Sequence, residues 1–117
     1  MTDQQLLVSS QAGLRLIAML TLFNGAKFDR LRAYIKEHYT QTALEAEPAA
    51  VRLAALKVIL ADHGKLRVRQ VVAAEKHRVV VLLDTQDARL YMADMACEDD
   101  YPHKVAAFDM AELGVVT

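Results

Sequence analysis

A chain of 117 residues has the length of one ordinary domain, and an apolar content of 54% is sufficient for a single buried core. The 14 Lys and Arg residues are balanced by 15 Asp and Glu residues, so the formal charge is −1 and no excess of positive charge is present to bind a phosphate backbone. We therefore expect one domain over residues 1–117 and no nucleic-acid partner.

Cysteine content and the N-terminal sequence favour an intracellular protein. Cys97 is the single cysteine, so it cannot form an internal disulfide. The first residues lack the charged, apolar and small-residue regions of a secretory signal. The most apolar helical stretch, Leu14–Phe23, includes Arg15 and is much shorter than the roughly 20 residues that cross a bilayer. We expect a cytoplasmic location and no membrane span.

The first helix has two candidate starts. Thr2 with Gln5 is a potential capping box, the Ser9-Ser10 pair offers a second N-cap, and the choice between them stays open. Asn24-Gly25 should end this helix, because both residues tolerate the left-handed conformation. Its predicted apolar stripe consists of Leu14, Ile17, Ala18, Thr21 and Leu22, and Met19, Leu20 and Phe23 widen the apolar surface, so most of the helix should be buried.

Two more helices follow. The segment Lys27–Tyr39 is amphipathic, with its apolar residues at helical spacing. The polar segment Thr40–Glu47 predicts a link. A third helix should lie between Pro48, which suits a first helical turn, and Gly64, which suits the position after a last turn.

From Leu66 onward the pattern changes to the period of strands. A change of phase at Val71-Val72 predicts a first strand with a bulge. His77–Glu98 predicts an antiparallel hairpin, and Lys104–Met110 a last strand with a second bulge at Ala106-Ala107. Three N-terminal helices packed on a four-stranded antiparallel sheet make an α+β domain.

The hairpin requires cover on both faces. Its first limb, Val79–Leu83, is apolar throughout, so we expect both of its faces to be shielded from water. In the second limb, successive side chains should point to opposite faces of the strand, so its residues divide into two sets. One parity holds Tyr91, Ala93, Met95 and Cys97, and the other holds Leu90, Met92, Asp94 and Ala96.

Four short segments resemble the nuclear transport factor 2-like (cystatin-like) superfamily. They are Leu22-Phe23-Asn24-Gly25, His38-Tyr39, His63-Gly64-Lys65-Leu66 and Pro102-His103-Lys104-Val105. The resemblance covers Ser10 to Met110 and is strongest to the small domain found alone or appended to serine hydrolases of the β-lactamase type. It implies a cone-like curved sheet around the helices, a hydrophobic pocket inside the cone, and often a homodimer through the outer sheet face. We then expect the Tyr91 parity to face the cone and the Met92 parity to face the partner subunit.

Candidate ligand-binding residues follow from this resemblance and from the strand parity. They are Phe23, Tyr34, His38, Tyr91, Met95 and Cys97. Tyr34 and His38 lie four residues apart and can share a helix face, where His38 could exchange a proton near neutral pH. The alternative for this pair is a solvated helix edge, and for Tyr91 and Cys97 it is core packing.

No catalytic residue, metal or cofactor is predicted. The superfamily's isomerases carry a Tyr on the first helix, and no Tyr occurs between Met1 and Ala33. Metal-ligand spacings, a nucleophile elbow and phosphate-binding loops are also missing from the sequence.

We expect a homodimeric accessory or binding domain that takes a small hydrophobic ligand without catalysis. One alternative is a cofactor-free lyase or isomerase that uses His38 with Tyr34 or Tyr91. Another is a protein-interaction module with a filled cone. Two titratable groups that converge on an enclosed pocket would favour the enzyme, and a pocket closed by Leu, Met and Phe would disfavour it.

Overall fold

The structure is a computed structural model that describes residues 2–115, in which five helices precede four strands. The helices are α1 (Asp3–Val8), α2 (Gln11–Asn24), α3 (Phe28–His38), α4 (Gln41–Ala46) and α5 (Ala49–His63). The strands are β1 (Leu66–Ala74), β2 (Arg78–Thr85), β3 (Arg89–Cys97) and β4 (Val105–Val115). They form one open antiparallel sheet in the order β1-β2-β3-β4, which confirms the α+β class, with five helices in place of the predicted three.

Both candidate caps near the N-terminus are used, each by its own helix. The Gln5 amide donates to Thr2 Oγ1 at 3.2 Å and the Thr2 amide donates to Gln5 Oε1 at 2.8 Å, which closes a capping box on α1. Ser10 Oγ accepts from the Gly13 amide at 3.2 Å and begins α2. The two starts that the sequence left open therefore belong to two helices.

The buried face of α2 differs from the predicted stripe. Leu14 is 46% exposed and Thr21 is also exposed. The buried positions are Ala12, Gly13, Leu16, Met19 and Phe23. Because α2 is apolar around much of its circumference, periodicity alone did not determine which side faces the core. Contacts with α1, α3 and strands β1–β3 determine it.

The other two predicted helices are confirmed, and a fourth region of helix was missed. The segment Lys27–Tyr39 contains α3, and α5 lies between Pro48 and Gly64. The predicted link instead contains α4, where Thr40 Oγ1 accepts from the Ala43 amide at 3.0 Å. With six residues and a single buried side chain, α4 is too short to show a helical period.

The hairpin forms with the predicted parity. Val79 pairs with Met95 and Val81 with Ala93, so two buried rows lie side by side beneath the helices. On β3 the buried residues are Tyr91, Ala93, Met95 and Cys97. Sequence alternation therefore identified the face of the sheet that carries the core.

Both predicted bulges are present. In β1 the pairing with β2 shifts twice, before and after Val71. In β4 the pairing with β3 skips Ala106. This extra residue returns Phe108 and Met110 to the face that carries Val105, so they extend the inner face of the sheet.

The opposite face of the sheet, here termed the outer face, is apolar at its centre and charged at its ends. Its apolar residues are Val80, Leu82, Leu90, Met92 and Ala96. All are partly exposed, and Met92 is 38% exposed. At one end Arg78 pairs with Asp94 at 2.7 Å, and at the other Arg69 pairs with Asp84 at 3.1 Å.

Candidate functional site

Four of the six predicted ligand-binding residues are packed in the interior. Phe23, Met95 and Cys97 are 2%, 0% and 7% exposed and belong to the hydrophobic core. Burial raises the pKa of the Cys97 thiol, because apolar surroundings disfavour the charged thiolate. Tyr91 is 7% exposed, and its ring centroid lies 6.1 Å from that of His63. At these positions side chains fill the interior.

Tyr34 and His38 share a face of α3, as their spacing predicts. Their ring centroids are 4.3 Å apart. Arg15 of α2 contacts both residues: its Nη1 lies 2.7 Å from His38 Nδ1 and 3.5 Å from Tyr34 Oη. Its Nη2 donates to the Pro102 carbonyl at 2.7 Å. Arg15 thereby links α2 to α3 and to the loop between β3 and β4.

The surroundings of His38 favour a neutral imidazole. Burial lowers its pKa most, the Arg15 charge lowers it further, and Glu37 raises it in part. A guanidinium only donates hydrogen bonds, so His38 Nδ1 is the acceptor and the proton of the neutral ring lies on Nε2. The Nδ1 lone pair is occupied, which leaves Nε2 as an N–H donor and not as a base.

A groove of about 470 Å³ lies between β4 and helices α3–α5, and is termed the β4 groove. Its apolar walls are Ile35, Leu56, Ile59, Phe108 and Met110. Alanines line much of the rest, at positions 43, 46, 55, 106 and 107. Their short side chains leave space that the walls do not fill, and Phe108 and Met110 stay half-buried as a result.

Arg52 of α5 is held in a fixed position on this groove. Its Nε donates to the Glu47 carbonyl at 2.7 Å and its Nη2 donates to the Ala43 carbonyl at 2.9 Å. The guanidinium carbon lies 4.9 Å from the centroid of the Tyr39 ring, within cation–π range. Burial is the main cause that raises the pKa of Tyr39, and the nearby Arg52 charge opposes it.

A second groove, of about 400 Å³, lies between α1, α2 and β1. Two of its polar side chains already bond to the backbone of β1. Asn24 Nδ2 donates to the Leu66 carbonyl and Asn24 Oδ1 accepts from the Leu66 amide, while Asp3 Oδ2 accepts from the Val71 amide. These groups connect the helices to the sheet. Neither groove is lined by any of the six predicted residues.

The described residues contain neither a cluster of metal-binding side chains nor a membrane-spanning helix. No group of three or more His, Cys, Asp or Glu side chains within residues 2–115 could hold a metal ion. His77 and His103 stack with ring centroids 5.2 Å apart, with Asp99 3.7 Å from His77 Nε2, without forming such a group. Across the same part of the chain, no helix is both long enough and apolar enough to cross a bilayer.

Arg15 and Arg52 were not among the predicted site residues. Each has a sequence signal in hindsight, because Arg15 is the single charge of α2 and Arg52 is the single charge in the first two turns of α5. Such a charge requires polar partners when the helix packs. Those partners are His38 and Pro102 for Arg15 and backbone carbonyls for Arg52, and periodicity does not identify them.

Comparisons of the chain with models of protein families, with curated proteins and with solved structures each gave no match. The resemblance to the nuclear transport factor 2-like superfamily therefore stays a prediction from the sequence.

Proposed function

We propose that the protein is a non-catalytic domain that binds a small hydrophobic molecule in the β4 groove. The observation that carries this proposal is the groove itself, whose volume of about 470 Å³ lies within the range of small-molecule sites. Apolar side chains form most of its lining, and Tyr39, Glu47, Arg52 and Asp109 add polar groups that could orient a ligand. A cone-like sheet of the nuclear transport factor 2-like kind, which opens at this groove, is part of the same proposal.

A ligand would complete the burial of the inner face of β4. Phe108 and Met110 belong to the core side of the sheet but are only half-buried. Full burial of such a side chain contributes about 1.5–3 kcal/mol, so covering the exposed part of both favours an apolar occupant. The ligand location differs from the predicted one because Phe23 and Met95 already fill the interior.

A thermal-shift screen of hydrophobic acids, steroids and polyketide-like compounds tests this function, because a ligand of the native state raises the melting temperature. Hits should shift the amide resonances of α5 and β4. Ala55→Trp places a large ring in the groove and should weaken each hit by at least about tenfold. Ala54→Trp is the matched control, since Ala54 is exposed on α5 and does not line the groove. Equal binding to both variants would overturn the proposal.

A cofactor-free lyase or isomerase is the second candidate, favoured by the convergence of Arg15, Tyr34 and His38. Two observations support binding over this chemistry. The Nδ1 of His38 accepts from Arg15, so it is not available as a base. Tyr91 lies beside His63, so the predicted pairing of His38 with Tyr91 finds no support. Under the binding function, His38→Gln leaves ligand affinity in the β4 groove unchanged.

We also propose that the domain forms a homodimer through the outer face. The apolar residues at its centre would be covered by the same residues of a second copy. Each end of the face carries an ion pair, Arg78 with Asp94 and Arg69 with Asp84. Because both signs of charge are present at each end, two copies can meet without a general repulsion between like charges. The β4 groove lies on the other side of the sheet and stays accessible in such a dimer.

A further inference from the structure

We infer that the ligand of the β4 groove is an amphipathic carboxylic acid, whose carboxylate binds Arg52 and whose apolar tail lies along β4. This inference rests on the proposed function. It goes further in naming the chemical class of the ligand and the residue that selects it.

The donor geometry of Arg52 is the first argument. Of the five N–H groups of a guanidinium, one on Nε and one on Nη2 bond to backbone carbonyls. The remaining donors, both on Nη1 and one on Nη2, have no partner in the part of the chain that the structure describes. Adjacent donors of this kind match the two oxygens of a carboxylate.

The position of the charge is the second argument. Arg52 takes part in none of the ion pairs formed within residues 2–115. Its two backbone bonds and its stacking on Tyr39 hold the guanidinium in place before any ligand arrives. A receptor fixed in this way loses little side-chain entropy on binding.

The acidic residues at the groove do not reverse this preference. Glu47 and Asp109 line the groove as well, and both are exposed. Their charges are therefore hydrated and screened by salt, whereas the Arg52 guanidinium lies partly buried against an aromatic ring. A cationic amphiphile that binds through these carboxylates is the competing outcome, and the experiment separates it.

The apolar walls define the rest of the ligand. From Arg52, the groove continues along Leu56 and Ile59 of α5 on one side and along Phe108 and Met110 of β4 on the other. No further positive charge lines it. An extended alkyl tail or a flat hydrophobic ring system suits these walls, and a second anionic group does not.

Three probes with one tail test the inference on the unaltered protein: decanoate, decanol and decyltrimethylammonium, titrated by calorimetry. Decanoate should bind about ten- to a hundredfold more tightly than decanol, the ratio expected for hydrogen bonds to a charged group. In the series hexanoate, octanoate and decanoate, affinity should rise about fourfold for each methylene while the groove fills. Equal binding of decanol, or tighter binding of the cation, would overturn the inference.

Arg52→Met assigns the preference to one residue. It should remove the advantage of decanoate over decanol, so that the two probes bind the variant with equal affinity. Arg32→Met is the matched control, because Arg32 is exposed on α3 and does not line the groove. Since the probes are also compared on the unaltered protein, a poorly folded variant leaves the test intact.

The outcomes distinguish this inference from the proposed function. If decanol and decanoate bind equally and Ala55→Trp abolishes both, the groove is a binding site and the acid is not its ligand. If no probe binds in the groove, the proposed function fails together with the inference.

Discussion

At the scale of single residues, the clearest electrostatic feature is His38. Its pKa in an unfolded chain lies near 6.5, and in the fold burial and the Arg15 charge lower that pKa. Below pH 6.5 the unfolded chain then binds more protons than the folded protein. The contribution of His38 to stability is therefore complete above pH 6.5. It declines as the pH falls from 6.5 towards the lower pKa that His38 has in the folded protein.

We therefore expect the contribution of His38 to the free energy of unfolding to decrease from about pH 7.5 to about pH 5, a range above that in which most carboxylates titrate. His38→Gln should reduce this slope, because the Gln carbonyl still accepts from Arg15 but does not titrate. Urea unfolding at several pH values measures both curves, and the imidazole resonances of His38 give its pKa directly. A folded pKa at or above 6.5 would contradict the prediction.

The residues of the candidate sites were only partly predictable from the sequence. Tyr34 and His38 were predicted to share a face because a spacing of four is a local property of a helix. Arg15 and Arg52 were missed because their partners are defined by tertiary contacts and by backbone carbonyls. Cys97, a pocket candidate, is buried in the core, which agrees with the packing alternative, since a lone cysteine often behaves as a small apolar side chain.

At the scale of elements, the strands followed the sequence more closely than the helices did. A strand has a period of two, so the alternation of apolar residues identified the buried face of β3. In β4, the change of parity between Val105 and Phe108 identified the bulge at Ala106. In α2 the apolar residues cover too much of the circumference for the period to select a side. Leu16 is buried and Leu14 is exposed because the side of α2 that carries Leu16 is the side that packs against the other elements, including α1 and α3.

The packing of α1 on α2 depends on Gly13. A Cβ at this position would clash with the Leu7 carbonyl, which belongs to the backbone and cannot move like a flexible side chain. Gly13→Ala should therefore destabilise the fold by about 1–3 kcal/mol and lower the melting temperature by several degrees. Circular dichroism during heating measures this change.

Gly25→Ala provides the matched control for this prediction. Gly25 has a φ of −84°, which any residue adopts, and the nearest atoms to its added Cβ lie at 3.4 Å, an ordinary contact. The same substitution should thus leave stability unchanged or raise it slightly, because alanine restricts the unfolded chain. Similar melting temperatures for the two variants would show that α1 does not pack on α2 as described.

At the scale of the whole molecule, the sheet separates two surfaces with different proposed roles. Helices cover most of its inner face, and at β4 they leave a gap where Phe108 and Met110 border the groove. This gap was not predictable, because it is formed by residues such as Ile35, Arg52 and Phe108 that lie far apart in the chain. The sequence predicted both faces of the hairpin but not where the helices leave one of them open.

The proposed homodimer makes opposite predictions for two methionines on β3. Met92 is 38% exposed at the centre of the outer face, whereas Met95 is fully buried in the core. Met92→Glu would place like charges opposite each other across a two-fold interface, so it should convert dimer to monomer with little loss of secondary structure. Met95→Glu buries an unpaired carboxylate and should unfold the domain.

Light scattering at micromolar concentration and circular dichroism together distinguish these outcomes. Asp94→Asn serves as a control on the outer face, because it removes a charge and half of the ion pair with Arg78 without adding repulsion at the centre. A monomeric unaltered protein would eliminate the dimer. A Met92→Glu variant that unfolds while Met95→Glu stays folded would mean that the two faces of the sheet are assigned in reverse.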